Sequence, residues 1–234
     1  MTEITFLKTR HVYDSYADFW SLVSLANFPT MYVDEWRPTM EGVFITCPMN
    51  GDYRAHLANH IDKPRNAHLI LWCLERPSGS AGSVGNYAAA NRELIYQRYC
   101  DEVWVSDRRL ADETNLRFVP LGSHEGLGTP GDAKRFDFCH MSYVTPRRTG
   151  IYKHFPESSI GPNCWPPQRD EVLRASRFAL NVHQDQHPFQ EPLRLALFAA
   201  YGLPVLSETI FDSFPWGEET MVTAGWDELV RVMR

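Results

Sequence analysis

Residues 178–208 read FALNVHQDQHPFQEPLRLALFAAYGLPVLSE. This stretch predicts a short strand, a polar loop that ends at Glu191 and Pro192, an apolar helix and a second short strand. The helix is apolar on almost every side, so we expect it to be buried against a sheet. The pattern therefore predicts a strand–loop–helix–strand unit of a parallel sheet.

One residue, Arg194, does not suit a buried helix. It lies in the first turn, where the positive end of the helix dipole repels a cation. A buried cation at this position is costly unless an anion lies beside it. The anion is either Glu191, three residues earlier on the same helix face, or a bound ligand. The two are compatible, because a carboxylate can fix the arginine and also accept a hydrogen bond from a ribose hydroxyl.

A second helix start has the same peculiarity. The segment Thr145-Pro146-Arg147-Arg148 places a good N-cap residue and a proline ahead of two arginines, which then fall in the first turn. Cations are disfavoured there unless an anion is bound. The two arginines are either a solvated surface pair or, together with Arg194, the basic part of a phosphate site.

Other candidates for chemistry follow predicted strands. His183 ends the first strand of the opening stretch, where it could contact a phosphate, transfer a proton or serve the structure alone. Asp52 and Glu75 follow strands in the first half of the chain and are candidates for a catalytic general base, although each can equally be a cap or turn residue. Asp107 also follows a strand and is interpreted as a helix cap.

The loop after the first strand of this stretch is a candidate metal site. His183, Asp185 and His187 occupy alternate positions, a spacing that allows metal binding in an extended loop. No fourth ligand is evident in the sequence, and there is no DxD triplet to hold a metal-bridged nucleotide sugar. We therefore expect no metal.

The composition limits the function classes. The chain has 234 residues and a net charge of −6, which argues against broad electrostatic binding to nucleic acid or to an anionic membrane. The longest apolar runs are too short to span a bilayer. The scattered cysteines form no CxxC pair, so we expect buried free thiols and a cytoplasmic protein, in the host cytoplasm if a phage encodes it. The cysteines are Cys47, Cys73, Cys100, Cys139 and Cys164.

Strands and helices alternate along the whole chain, which predicts an α/β fold with mainly parallel sheets. The glycine-rich segment 122–134 contains few apolar residues and is the best candidate for a linker. We therefore predict two α/β domains, residues 1–125 and residues 135–234. The sequence has no GxxxxGK[ST] motif, no GxGxxG after the first strand and no GxSxG, which argues against a Walker-type ATPase, an ordinary dinucleotide enzyme and an α/β hydrolase.

The opening stretch also resembles the donor-binding half of GT-B-type glycosyltransferases, including those of glycosyltransferase families 1 and 4. In many of these a strand (A/L)LN(I/V)H precedes a loop, E-x-x-R, a helix of small residues and G-x-x-V-(V/L)-S-E. Here the three motifs are ALNVH at 179–183, EPLR at 191–194 and GLPVLSE at 202–208. Residues 99–122 and 136–148 are similar to neighbouring parts of that fold, so the resemblance covers about residues 95–225.

The resemblance implies two facing Rossmann-like domains, with a nucleotide sugar in the cleft between them. The first domain would face the acceptor and the second would bind the donor. It implies a hexosyltransferase that uses a nucleotide diphosphate sugar, with a UDP-sugar as the expected co-substrate and no metal or other cofactor. The implied donor-binding residues are Arg147, Arg148, His183, Glu191, Arg194 and Glu208. Asp52, Glu75 and His183 are the catalytic candidates, and the acceptor is left open among a protein, a modified nucleic acid base and a glycan.

Two alternative functions are compatible with the same fold. The chain is short, and it lacks a second glutamate that many relatives carry before the G-x-P-V turn. Both features favour a non-catalytic nucleotide- or sugar-binding protein, or an accessory subunit of a larger transferase. An epimerase would use the same cleft but would convert the sugar without transferring it.

Overall fold

The computed structural model describes residues 3–10, 17–47, 64–74, 100–156, 160–162, 168–183, 190–210, 212–217 and 219–234. These residues contain ten strands and six α-helices, and the chain divides into two compact units, Met1–Leu121 and Gly122–Arg234. Every strand pairing among them is parallel. The predicted α/β fold with mainly parallel sheets is therefore confirmed. None of the described helices is long and apolar enough to cross a membrane.

The first unit is built on a six-stranded sheet with the strand order β2-β1-β3-β4-β5-β6. Two described helices accompany it, α1 (Ala17–Leu25) and α2 (Arg108–Thr114). The strands are β1 (Ile4–Lys8), β2 (Thr30–Tyr32), β3 (Gly42–Thr46), β4 (Ala67–Cys73), β5 (Glu102–Val105) and β6 (Arg117–Phe118). This arrangement is Rossmann-like.

The core of the first unit follows from its apolar strands. β4 reads AHLILWC, a nearly continuous apolar run that is typical of a strand covered on both faces, and its Leu69 and Leu71 are fully buried. The indole of Trp36 packs into the same cluster. Asp107 caps α2, since its Oδ1 accepts a hydrogen bond from the Leu110 backbone N–H at 2.7 Å. The interpretation of Asp107 as a helix cap is confirmed.

The predicted thiols are buried where the structure describes them. Four cysteines, all but Cys164, fall within the described residues, and all four are buried and outside any disulfide. Burial raises the pKa of the Cys100 thiol to about 12, so this thiol stays protonated at neutral pH. Cys164 lies outside the described residues.

The second unit is built on a four-stranded parallel sheet with the order β10-β9-β8-β7. The strands are β7 (Phe136–His140), β8 (Ser176–Asn181), β9 (Val205–Glu208) and β10 (Met221–Ala224). The helices are α3 (Pro146–Tyr152), α4 (Arg169–Arg174), α5 (Pro192–Ala200) and α6 (Trp226–Val232). Because the strands are parallel, their carboxyl ends share one edge of the sheet, and the chain segments that follow the strands begin there.

The opening stretch folds as predicted. It forms β8, α5 and β9 in that order, with β8 and β9 paired directly, for example Leu180 beside Leu206. Four consecutive α5 residues, 195–198, are fully buried, as the apolar sequence predicts. Gly202 follows the helix with a φ of +62°, a conformation that favours glycine, and the chain turns there into β9.

Residues 122–134, the expected linker, belong to the second unit. The hydroxyl of Ser123 donates a hydrogen bond to the Ala196 carbonyl at 2.7 Å, and residues Glu125–Leu127 form a single 3₁₀ turn. Gly128 lies against the ring of Tyr201, which leaves no space for a side chain. This segment is therefore packed against α5 and the turn that follows it.

The contact between Gly128 and Tyr201 gives a test of this packing. We expect Gly128→Ala to lower the free energy of unfolding by about 1–3 kcal/mol, because the added methyl group overlaps a buried ring. Gly122→Ala is the matched control, since no atom lies within 4 Å of a Cβ at that position. Urea denaturation of both variants measures the difference. Equal stabilities would contradict the packing described here.

Candidate functional site

Five charged residues gather at the carboxyl edge of the second sheet. Two come from the first turn of α3, two from the start of α5 and one from the end of β9. We call this set the arginine–glutamate cluster, and it consists of Arg147, Arg148, Glu191, Arg194 and Glu208. All five were predicted as donor-binding residues, and the fold brings them together.

The start of α3 has the geometry that its sequence predicts. Pro146 is the first helical residue, and the Thr145 hydroxyl accepts a hydrogen bond from the Arg148 backbone N–H at 3.3 Å. This cap fixes the first turn of the helix. It therefore also fixes the points from which Arg147 and Arg148 leave the backbone.

Arg147 reaches across the edge of the sheet to Glu208. Both terminal nitrogens of its guanidinium donate to the carboxylate, with Nη1 lying 2.7 Å from Oε2. Nη1 also donates to the His183 carbonyl at 3.2 Å, and the guanidinium lies 5.5 Å from the centre of the Trp226 ring. The side chain remains about one-fifth exposed. Arg147 therefore connects the ends of β8 and β9 with the start of α6 while keeping an accessible edge.

Arg148 is almost fully buried. Its Nε donates to the Val182 carbonyl at 2.8 Å, and its Nη1 donates to the Tyr143 carbonyl at 2.9 Å. Its Nη2 lies 3.5 Å from Oε1 of Glu191. The guanidinium thus links the segments after β7 and β8 to the residue that precedes α5.

Arg194 forms the internal ion pair that its spacing predicts. Its Nη1 donates to Oε2 of Glu191 and, at 2.8 Å, to Oδ1 of Asn181. The Asn181 amide donates in turn to the Ser207 hydroxyl at 2.9 Å. Glu191 therefore has an arginine on each of its oxygens, and a chain of hydrogen bonds connects it to β9.

The cluster carries one excess positive charge, because three guanidinium groups face two carboxylates. The positive end of the nine-residue helix α5 adds to the potential at the same place. Arg147 and Glu191 are the most accessible members, each with about one-fifth of the side chain exposed. The arrangement can hold an anion beside a carboxylate that accepts hydrogen bonds.

His183 is buried beside the cluster. Its backbone N–H donates to Oε2 of Glu208 at 3.1 Å, and its ring Nε2 lies 3.0 Å from the Thr209 carbonyl. A carbonyl can only accept, so Nε2 carries the proton. Burial lowers the pKa of His183, and the positive charges of Arg194 and Arg147 act in the same direction, against opposing effects of Thr209 and Glu208. In the neutral ring Nδ1 is therefore the acceptor nitrogen.

His140, at the end of β7, was missed by the sequence reasoning. Its Nδ1 lies 3.2 Å from the Ser142 hydroxyl, and its ring stacks on Tyr152 with centroids 4.5 Å apart. Burial lowers its pKa to about 4, helped by the positive charges of Arg194 and Arg148. The signal in the sequence was a histidine at the carboxyl end of a strand, six residues ahead of a basic helix start.

Some predicted residues cannot be placed. Asp52 and Glu75, the candidate general bases, lie outside the described residues, as do Asp185 and His187. Within the described part of the chain, no group of three or more His, Cys, Asp or Glu side chains could hold a metal ion.

Compared with known proteins, the chain matches no protein-family model and no curated protein sequence. The resemblance of residues 95–225 to GT-B glycosyltransferases therefore stays a prediction. What supports a function is the geometry of the arginine–glutamate cluster.

His140 makes stability depend on pH. The unfolded imidazole titrates near 6.5 and the folded one at about 4, so the unfolded chain takes up the proton first as the pH falls. The contribution of the neutral His140 ring to the free energy of unfolding is complete above pH 6.5. It is lost between pH 6.5 and pH 4, and the loss amounts to up to about 3 kcal/mol. We expect His140→Gln to flatten this part of the stability curve in urea titrations at several pH values. The exposed His154→Gln is the control, and an unchanged slope in His140→Gln would contradict the assignment.

Proposed function

We propose that the chain is a glycosyltransferase that binds a nucleotide diphosphate sugar, with a UDP-sugar as the first candidate, at the arginine–glutamate cluster. The observation that carries the proposal is the convergence of three arginines on the carboxyl edge of a parallel sheet. Open parallel sheets bind ligands at this edge. The GT-B architecture, with two facing Rossmann-like domains, is part of the proposal.

The chemistry of sugar transfer suits an arginine-rich site. The bond between the sugar and the diphosphate breaks, and negative charge builds up on the departing diphosphate. Guanidinium groups that are already held in place stabilise this charge with little rearrangement. In our proposal Arg147 and the start of α5 supply this stabilisation, and the reaction needs no metal.

The other polar groups suit the sugar parts of the donor. The Glu191 carboxylate accepts hydrogen bonds from ribose hydroxyls, and the neutral His183 ring accepts one from a hydroxyl of the donor sugar through Nδ1. Because Nε2 already donates to Thr209, His183 suits a hydroxyl better than a phosphate oxygen. Asp52 and Glu75, which lie outside the described residues, remain the candidates for any general base.

A non-catalytic binding protein is the second candidate, and one observation favours it. Each arginine of the cluster has a carboxylate partner within the chain, so two of its three positive charges are balanced without a ligand. Such a protein would bind the nucleotide sugar and leave it intact. Slow release of UDP from a UDP-sugar, measured by chromatography and absent in Arg194→Ala, would favour the enzyme. Binding without any release would favour the second candidate.

Calorimetric titration of UDP, GDP and ADP tests the binding site. We expect one of them to bind below millimolar concentration and Arg147→Lys to weaken that binding by about tenfold, because lysine keeps the charge but loses the fork of donors. Arg135→Lys is the control, since Arg135 pairs with Glu171 on the exposed surface of the same unit. Absence of binding by all three nucleotides at millimolar concentration would overturn the proposal.

A further inference from the structure

The two adjacent arginines of α3 have opposite environments. Arg147 is about one-fifth exposed and points to Glu208 at the end of β9. Arg148 is almost fully buried, and two of its donors are taken by the backbone carbonyls of Tyr143 and Val182. A ligand at the edge of the sheet can reach the first guanidinium far more easily than the second. The two arginines are adjacent in the sequence, but their environments suit different roles.

The third guanidinium nitrogen of Arg148 points to Glu191. Its Nη2 lies 3.5 Å from Oε1, while Arg194 holds Oε2. With a cation on each oxygen, the plane of the carboxylate is fixed. Each carboxylate oxygen can accept more than one hydrogen bond, and the Glu191 side chain is about one-fifth exposed. The carboxylate is thus held in one orientation with room for further donors.

The position of Arg148 does not depend on a ligand. Its Nε and Nη1 donate to main-chain carbonyls that follow two neighbouring strands, so the backbone itself sets the position of the guanidinium. A lysine at this position has a single donor centre and cannot bond two carbonyls and a carboxylate in this fork geometry. Replacing Arg148 by lysine would free Oε1 of Glu191 while leaving a positive charge in place.

We propose that Arg148 is a positioning residue that orients the Glu191 carboxylate towards the two ribose hydroxyls of the nucleotide, while Arg147 meets the diphosphate. This inference rests on the proposed function. According to this inference, Arg148 acts through Glu191, and Glu191 distinguishes ribose from a sugar that lacks these two hydroxyls. Affinity for the diphosphate itself does not depend on Arg148.

A comparison of two ligands separates these roles. The probes are the tightest binder among UDP, GDP and ADP, and the 2′,3′-dideoxy form of the same nucleotide, which lacks both hydroxyls. We expect the unmodified chain to prefer the ribonucleotide by about tenfold or more, since hydrogen bonds to a charged group are lost in the dideoxy form. Calorimetry on the full chain gives both dissociation constants.

Three variants and a control complete the design. Arg148→Lys and Glu191→Gln should both reduce the preference for the ribonucleotide to about twofold, with little change in dideoxynucleotide binding. Arg147→Lys should weaken both ligands equally and keep the preference. Arg135→Lys, on the exposed surface of the same unit, should change nothing.

The outcomes are distinct. Equal weakening of both ligands in Arg148→Lys, with an unchanged melting temperature, would overturn the inference, because Arg148 would then contact the diphosphate. No preference in the unmodified chain would also overturn it, although nucleotide binding would still support the proposed function. If Arg148→Lys does not fold, Glu191→Gln decides, and a retained preference in that variant overturns the inference. Failure of every nucleotide to bind would overturn the proposed function itself.

Discussion

The buried guanidinium of Arg148 is the constraint on which the second unit depends. A charge taken out of water is tolerated only where its hydrogen bonds and its charge are compensated. Here two backbone carbonyls, those of Tyr143 and Val182, and the Glu191 carboxylate supply that compensation. One side chain thereby fastens the segments after β7 and β8 to the start of α5. The edge of the sheet is held in place before any ligand arrives.

The rest of the site is arranged around this fixed point. Glu191 is shared by two arginines, and Asn181 connects Arg194 to the next strand. Burial keeps the nearby imidazoles of His140 and His183 neutral, and the positive charges of the arginines act in the same direction, since protonation would add a further cation to a buried region. Positioned cations therefore lie beside a partly exposed carboxylate, which is the arrangement on which the proposed function rests.

Local patterns in the sequence predicted much of this arrangement. The apolar helix, its two flanking strands and the pair Glu191–Arg194 all follow from periodicity and from spacing within one helix. The pair Arg147–Glu208 spans 61 residues and depends on the order of strands in the sheet, which spacing alone does not determine. His140 was overlooked because it directly follows the buried residues Phe138 and Cys139, where a polar residue is easily taken for part of the core. Arg147 and Arg148 differ in burial and in their partners, which their neighbouring positions in the sequence cannot indicate.

A crystal structure of the chain with its tightest-binding nucleoside diphosphate tests the central claim most directly. The account predicts a diphosphate oxygen within hydrogen-bond distance of Arg147 and a ribose hydroxyl on the Glu191 carboxylate, with Arg148 unmoved between its backbone carbonyls. A nucleotide bound away from the carboxyl edge of the second sheet, with the arginine–glutamate cluster unchanged and empty, would contradict it.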